Sequence, residues 1–104
     1  MELKQTCASE EVDLERMTQL FKALGDPSRV RILFQIFTSE ACIHEIARKL
    51  NMSEPAVSHH IRILKMNGLV RWYRKGKNIL YELDDDHVRS IISQGMEHVK
   101  ELRN

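Results

Sequence analysis

The sequence predicts a mainly α-helical domain that carries one β-hairpin. Apolar residues recur at helical spacing in five segments, and capping or glycine residues separate these segments from one another. Between residues 70 and 83, apolar and polar residues alternate instead, on both sides of a glycine-containing turn. A chain of 104 residues is long enough for one compact domain, so we assign residues 1–104 to a single domain.

The first two helices are predicted from apolar spacing and from the signals between them. Apolar residues at i, i+3, i+4 and i+7 predict a helix over residues 11–24, and residues 1–10 are expected to form a flexible N-terminal tail. Gly25 ends this helix. Asp26 and Pro27 are typical of an N-cap and a first turn, so they predict a second helix. Its inward face is predicted to contain Val30, Leu33, Ile36 and Phe37.

The next two helices are short and closely connected. They are predicted over residues 43–50 and 53–66, with Asn51 and Met52 between them and Ser53 as an N-cap. Two helices of this length joined by so few residues form a helix-turn-helix. The buried face of the second helix is predicted to contain Val57, Ile61 and Leu64. Its other face carries the candidate DNA-binding residues Ser53, Glu54, Ser58, His59, Arg62 and Lys65.

The hairpin that follows has a basic tip. Its turn is predicted at residues 75–78, and the tip carries Arg74, Lys75 and Lys77. A helix-turn-helix followed by a basic hairpin is a winged helix-turn-helix, in which the second helix enters the major groove and the hairpin reaches phosphates. We expect Ser58 and His59 to contact the groove, and the two lysines to contact phosphate.

The charge distribution favours a nucleic-acid partner. Residues 27–83 hold ten basic and four acidic residues, a net charge of +6, between ends with net charges of −3 and −2. No acidic residue occurs from Ala56 to Tyr81. Such a patch is an electrostatic footprint for phosphate, although a solvated basic loop on an ordinary α+β core is the alternative. The order of elements favours double-stranded DNA as the partner.

The remaining composition bounds the class of protein. Cys7 and Cys42 form no CxxC motif, and a reducing compartment fits them. No apolar leader and no apolar run of membrane-spanning length occurs, so we expect a cytoplasmic protein without a membrane partner. No nucleophile–base pattern indicates an enzyme, and no small organic ligand is expected.

The C-terminal segment, residues 84–104, is predicted to be a dimerisation and metal-binding helix. It contains Asp85, His87, His98 and Glu101 in the pattern D-x-H-x10-H-x-x-E. On a helix the two histidines lie within about 20° of one face but about 16 Å apart along the axis. One metal ion with ligands at about 2 Å cannot bridge them within one chain.

Two copies of this helix, packed antiparallel across a two-fold axis, can bridge the gap. The numbers of the two histidines sum to 185 and those of the two acids to 186, so both pairs share a centre near Ile92, Ser93 and Gly95. Each dimer then has two sites with two imidazoles and two carboxylates, a set that suits tetrahedral Zn(II). Co(II) or Cd(II) is expected to substitute in vitro. The alternative is a solvated helix face with an acidic N-cap.

The chain resembles the ArsR/SmtB family of metal-sensing winged-helix repressors over nearly its whole length. The resemblance rests on four segments: ALGDPSRVRIL at 23–33, EPAVSHHIRIL at 54–64, RKGKNILYEL at 74–83 and DDHVRSIISQGMEHVKE at 85–101. It implies a homodimer built on the first and last helices, whose metal-free form binds operator DNA. Metal at the last helix is then expected to lower DNA affinity and derepress genes for metal efflux or sequestration.

The chain departs from the family at a second, thiolate-rich site. Many relatives carry a CVC motif where this chain has Cys42-Ile43-His44-Glu45. A mixed metal or thiol site made of Cys7, Cys42, His44 and Glu45 is one interpretation. A packed Cys42 and a disordered Cys7 tail are the other.

Two further hypotheses stay open at this point. One is a winged-helix regulator triggered by oxidation of Cys7 and Cys42, with no physiological metal. The other is a small zinc-buffering or interaction protein, whose DNA binding would be salt-sensitive and indifferent to sequence.

Overall fold

The computed structural model describes the backbone of residues 2–103 and the side chains of residues 9–103. Five helices and one antiparallel hairpin follow one another along the chain. They are α1 (Glu2–Leu24), α2 (Pro27–Thr38), α3 (Ile43–Leu50), α4 (Glu54–Met66), β1 (Val70–Lys75), β2 (Asn78–Leu83) and α5 (Asp86–Leu102). This order confirms the predicted fold class, a mainly α-helical winged helix-turn-helix.

Helix α1 begins earlier than the sequence predicts. It starts at Glu2 rather than near residue 11, so the backbone of the segment predicted as a tail is helical. The mobility of that segment stays a prediction. Among the described side chains of α1, residues 9–24, those at the C-terminal end pack on the core, namely Leu20, Ala23 and Leu24, while Phe21 is 57% exposed. The apolar face of α1 is therefore largely uncovered in the single chain.

The corner between α1 and α2 is held by Asp26 and Arg29. Asp26 is the predicted N-cap of α2, and its Oδ2 accepts a hydrogen bond from the backbone N–H of Arg29 at 3.0 Å. The Arg29 Nε in turn donates to the carbonyl of Ala23 at 2.8 Å, which fixes the end of α1. One prediction for α2 is wrong: Val30 is 46% exposed, because the buried face of the helix is formed by Ile32, Leu33 and Ile36 and Val30 lies outside it.

The helix-turn-helix forms as predicted. Asn51 ends α3 in the left-handed conformation at φ 55°, and the Ser53 hydroxyl caps α4 by accepting from the Ala56 N–H at 3.1 Å. The predicted inward residues of α4 are all buried. They pack with α2, α3 and β1 in a core whose largest fully buried side chains are Ile32, Leu33, Ile36, Ile46, Val57, Leu64, Leu69 and Val70.

The hairpin has the predicted turn, and one further pairing links it to the helices. Its strands pair from Val70 with Leu83 to Lys75 with Asn78, and Gly76 adopts φ 63° in the turn between them. Outside the hairpin, Ala41 pairs with Tyr81 through two backbone hydrogen bonds of 3.2 and 2.9 Å. The loop before α3 therefore adds a one-residue third strand that ties the wing to the helix-turn-helix.

Helix α5 packs on this core mainly by its first half. Val88 is buried and Ile92 partly buried, whereas Val99 and Leu102 are exposed. Across the part of the chain that the structure describes, no helix combines the length and the apolar character needed to cross a bilayer.

Candidate metal centre and nucleic-acid interface

Asp85 and His87 lie together at the start of α5. Asp85 is the N-cap, and its Oδ1 accepts from the Val88 N–H at 3.0 Å. Its other oxygen, Oδ2, lies 3.5 Å from His87 Nδ1, and the His87 side chain is 94% exposed. The Val88 hydrogen bond, with a smaller contribution from His87, lowers the pKa of Asp85, so this carboxylate is charged at neutral pH. The pair presents an oxygen and a nitrogen to solvent.

The other two predicted ligands stand at the far end of the same helix. His98 and Glu101 are three residues apart, so they share a face, and both are exposed. Among residues 9–103, no group of three or more His, Cys, Asp and Glu side chains is placed to hold one metal ion. One chain thus brings Asp85 to His87, but it does not bring this pair to His98 and Glu101. The chemistry of the four donors nevertheless suits Zn(II).

Arg89, which the sequence analysis missed, anchors the first turn of α5 to α2. Its guanidinium lies 4.8 Å from the centre of the Phe37 ring, and its Nη1 donates to the Phe37 carbonyl at 3.3 Å. The Phe37 ring also stacks on Phe34 at 5.8 Å. No local pattern in the sequence marks this contact, because the two partners lie on helices that are far apart in the chain.

An apolar groove of ≈ 840 Å³ runs between α2 and α5. Its walls are formed mainly by large aliphatic and aromatic side chains, including the wrongly predicted Val30. The apolar part of the lining includes Leu24, Val30, Phe34, Leu50, Ile91, Met96 and Val99. The second half of α5 and the outer face of α1 are also apolar and exposed, so the molecule has an extended uncovered apolar surface around its helical ends.

The candidate second site is only partly assembled. Cys42 is a free, half-buried thiol at the start of α3, and its Sγ donates to Glu45 Oε1 at 3.2 Å. This hydrogen bond lowers the pKa of Glu45. His44 points elsewhere, because its Nδ1 lies 3.1 Å from Glu54 Oε2 on α4. The side chain of Cys7 lies outside the described residues.

The candidate DNA-binding residues of α4 form one accessible face. His59, Arg62 and Lys65 are exposed, and Ser58 is half-buried beside them. Glu54 and Ser53 are exposed at the N-terminal end, where Ser53 caps the helix and Glu54 pairs with His44. In the free chain, the Glu54 carboxylate is therefore already within hydrogen-bond distance of His44.

The hairpin places its three predicted cations at its tip. Arg74, Lys75 and Lys77 are all exposed around the Gly76 turn. Farther down the strands, Arg71 Nε donates to Glu82 Oε1 at 2.8 Å, and the Tyr73 hydroxyl donates to Glu40. These cross-links stiffen the base of the wing and leave the tip cations available to an anionic partner.

His60 is a second polar residue that the sequence analysis missed. It follows the candidate contact His59, and the two rings meet edge to face at 5.5 Å. The His60 side chain is only 18% exposed, and its Nδ1 is buried without a hydrogen-bond partner among the described residues. The carboxylate oxygen Asp26 Oδ2 lies 4.0 Å from this nitrogen.

The fold and the basic face define the chain as a winged helix-turn-helix protein. Residues 26–71 match the model of the arsR family of bacterial regulatory proteins. The chain is also 33% identical over 87 residues to the cadmium resistance transcriptional regulatory protein CadC homolog of Staphylococcus aureus, covering 83% of this chain and 72% of that protein. The chain belongs to the ArsR family.

One more comparison agrees with the family, and another agrees with the fold. The chain is 38% identical over 87 residues to the transcriptional repressor SmtB homolog of Synechocystis sp.; the match covers 84% of this chain but only 66% of that relative. The fold is similar to that of a homodimeric winged helix-turn-helix DNA-binding domain from Mycobacterium bovis, with a TM-score of 0.84, 24% identity, and coverage of 88% of this chain and 85% of that domain.

Proposed function

We propose that this chain is a metal-responsive transcriptional repressor whose metal ions are held between the two subunits of a homodimer. The observation that carries the proposal is the division of four metal-binding side chains into two separated, exposed pairs on α5. The SmtB and CadC relatives, named as a repressor and a cadmium-resistance regulator, support the same function.

The DNA-binding part of the proposal rests on α4 and the wing. The exposed face of α4 offers hydroxyl, imidazole and guanidinium groups, which are the kinds of side chain that read base edges. The wing tip offers Lys75 and Lys77, whose point charges suit phosphate. Both elements are fixed to one core by buried side chains and by the Ala41–Tyr81 pairing, so their spacing is defined before DNA is met.

The homodimer is supported by the apolar surface that a single chain leaves uncovered. Exposed large residues on α1 include Met17 and Phe21, and those on α5 include Val99 and Leu102. A second copy covers both helices at once, because a two-fold interface uses the same patch from each side. We therefore assign the groove between α2 and α5 to the partner subunit and not to a small ligand.

The metal part of the proposal follows from the geometry of α5. In an antiparallel pair, Asp85 and His87 of one chain meet His98 and Glu101 of the other, twice per dimer. Zn(II) accepts nitrogen and oxygen donors in a tetrahedral set and binds such donors more tightly than Mn(II), Fe(II) or Co(II). Bound metal would cross-link the two α5 helices and fix one dimer geometry. If that geometry displaces the α4 helices from their half-sites, DNA affinity falls.

A zinc titration of the purified dimer tests the ligand set. In a Cys7→Ser, Cys42→Ser background we expect one zinc ion per chain, and adding His98→Ala is expected to reduce binding to a trace. Glu97→Gln is the matched control, since Glu97 is an exposed acid on α5 outside the motif. More than trace zinc binding in the His98→Ala protein would place the ligands elsewhere.

A release experiment separates the proposal from a thiol trigger. The probe is a duplex that the metal-free protein selects from a random pool. We expect zinc to release this duplex and peroxide to leave it bound. Release by peroxide alone, abolished by Cys42→Ser, would instead favour oxidation as the signal. In the folded chain the Cys42 thiol donates a hydrogen bond to Glu45 Oε1 at 3.2 Å.

A further inference from the structure

We propose that His60 is a positioning residue for DNA binding, which locks the recognition helix α4 to the Asp26 cap of α2 when its ring is protonated. DNA binding by this chain is then stronger at mildly acidic pH than at alkaline pH. The inference rests on the DNA-binding half of the proposed function, but it involves neither the metal site nor the cysteines.

The first support is the position of the His60 ring. It lies between α4 and the start of α2, and its Nδ1 is the buried side-chain nitrogen or oxygen that lacks a partner among the described residues. A buried polar atom without a partner is unfavourable, and native structures seldom keep one without a use. At 4.0 Å, Asp26 Oδ2 is too far for a hydrogen bond but close enough that a shift of about 1 Å would make one.

The second support is what Asp26 already does. The same Oδ2 atom caps α2 by accepting from the Arg29 N–H at 3.0 Å. This hydrogen bond, more than any other contact, lowers the pKa of Asp26, so the carboxylate is charged throughout the range in which histidines titrate. A protonated His60 therefore faces a fixed anion, and the resulting bond would be charge-assisted.

Several of the other charged groups around α4 have partners of their own. On α2, the Arg29 guanidinium is directed at the carbonyls of Ala23 and Lys22. On α3, His44 pairs with Glu54 at the first turn of α4. On β1, Arg71 pairs with Glu82. On α4 itself, His59 lies edge-on against His60, and Arg62 and Lys65 are exposed.

The link to DNA follows from the place of this contact. His60 is adjacent to His59, a candidate groove contact, so the bond to Asp26 fixes the part of α4 that meets the bases. Holding that part in one orientation before binding reduces the ordering cost of association. If the bound state has the shorter contact, it also holds the proton more tightly than the free state. DNA affinity then rises as the pH falls through the histidine range, by at most about tenfold per pH unit for each proton taken up, and so about a hundredfold for the two chains of a dimer.

Two substitutions remove the lock without removing its surroundings. Asp26→Asn keeps a side chain that caps helices as well as aspartate does but eliminates the charge. His60→Asn keeps an amide nitrogen near the position of Nδ1 but cannot titrate. His59→Asn tests the neighbouring ring; because His59 is a candidate DNA contact, this variant is expected to bind more weakly at every pH. The probe is a duplex selected from a random pool by the wild-type protein, at fixed salt and without metal.

We expect wild-type affinity to rise roughly three- to tenfold from pH 8 to pH 6. Asp26→Asn and His60→Asn should lose that rise, while His59→Asn should keep it. Thermal unfolding at each pH shows whether the variants are folded. If His60→Asn fails to fold, Asp26→Asn alone decides. A pH profile of Asp26→Asn that matches the wild type would overturn the inference. If the wild type selects no duplex at all, it is the proposed function that fails.

Discussion

At the scale of single residues, Asp26 has two structural roles at the corner between α1 and α2. It caps α2, and through Arg29 it connects that cap to the end of α1. Asp26→Ala is expected to lower the free energy of unfolding by about 1 kcal/mol, while Asp26→Asn should stay near the wild type, because asparagine is as good an N-cap. Urea unfolding at pH 7 measures both. Equal losses in the two variants would show that the charge, rather than the cap, is what stabilises the corner.

The same residue contributes to the acid limit of the fold. The pKa values of Asp26, Glu45 and Asp85 are all lowered by hydrogen bonds in the folded chain. A carboxyl whose pKa is lower in the folded state adds stability above its ordinary value and loses it as the pH falls through the folded value. The free energy of unfolding should therefore decline below about pH 4.5.

This acid decline can be assigned with one variant. Asp26→Asn removes one of the three groups, so between pH 5 and pH 3 it should lose less stability than the wild type does. Urea unfolding across that range gives the comparison. An identical loss in the two proteins would contradict the assignment to Asp26.

At the scale of elements, the sequence predicts α2, α3, α4 and the hairpin because their signals are local. Caps, glycines and apolar spacing lie within a few residues of one another there. The Ala41–Tyr81 pairing has no such signal, since one residue makes no pattern and its partner is distant. The i, i+3 spacing of Val30 and Leu33 fits two adjacent faces of α2, and only packing decides which face is buried.

The contacts of the candidate sites also fall into two groups: those that local sequence predicts and those that only the structure shows. Asp85 and His87 could be predicted to lie together, because they are two residues apart at a helix start. The contacts of His60 with Asp26 and of Arg89 with Phe37 join distant segments, so they needed the structure. Sequence spacing therefore predicts the candidate metal ligands, which stay a prediction, but not the contacts that connect the helices to one another.

The wing provides a prediction about binding rather than stability. Lys75 and Lys77 are exposed at the hairpin tip, away from the core. Replacing either with alanine should weaken binding evenly across DNA sequences and flatten the slope of log affinity against log salt by about one unit. Arg71→Ala is the control, because Arg71 pairs with Glu82 within the wing. An altered sequence preference with an unchanged slope would show that the lysines read bases.

At the scale of the whole molecule, the proposed metal site requires two chains. Gly95 lies near the expected crossing of the two α5 helices, and a methyl group there meets nothing within 4 Å in the single chain. By helix propensity alone, Gly95→Ala should stabilise α5 by up to about 1 kcal/mol. Gly95→Leu should weaken the dimer, because the added bulk would hold the helices apart. Sedimentation at several concentrations measures this, and a dimer of unchanged strength would place the crossing elsewhere.

The shared metal site can be tested with two complementary variants. One chain carries Asp85→Asn and His87→Ala, and the other carries His98→Ala and Glu101→Gln, both in the Cys7→Ser, Cys42→Ser background. Neither variant has a complete ligand set as a homodimer. A heterodimer of the two has one site with all four ligands and one site with none, if each site takes its two pairs from different chains.

Zinc titration of that purified heterodimer tests most directly whether each metal site is shared between two subunits. If the site is shared, we expect one zinc ion per heterodimer, bound with wild-type affinity, and only trace binding by either homodimer. A heterodimer that binds no zinc, or a variant homodimer that binds it fully, would contradict a site divided between subunits.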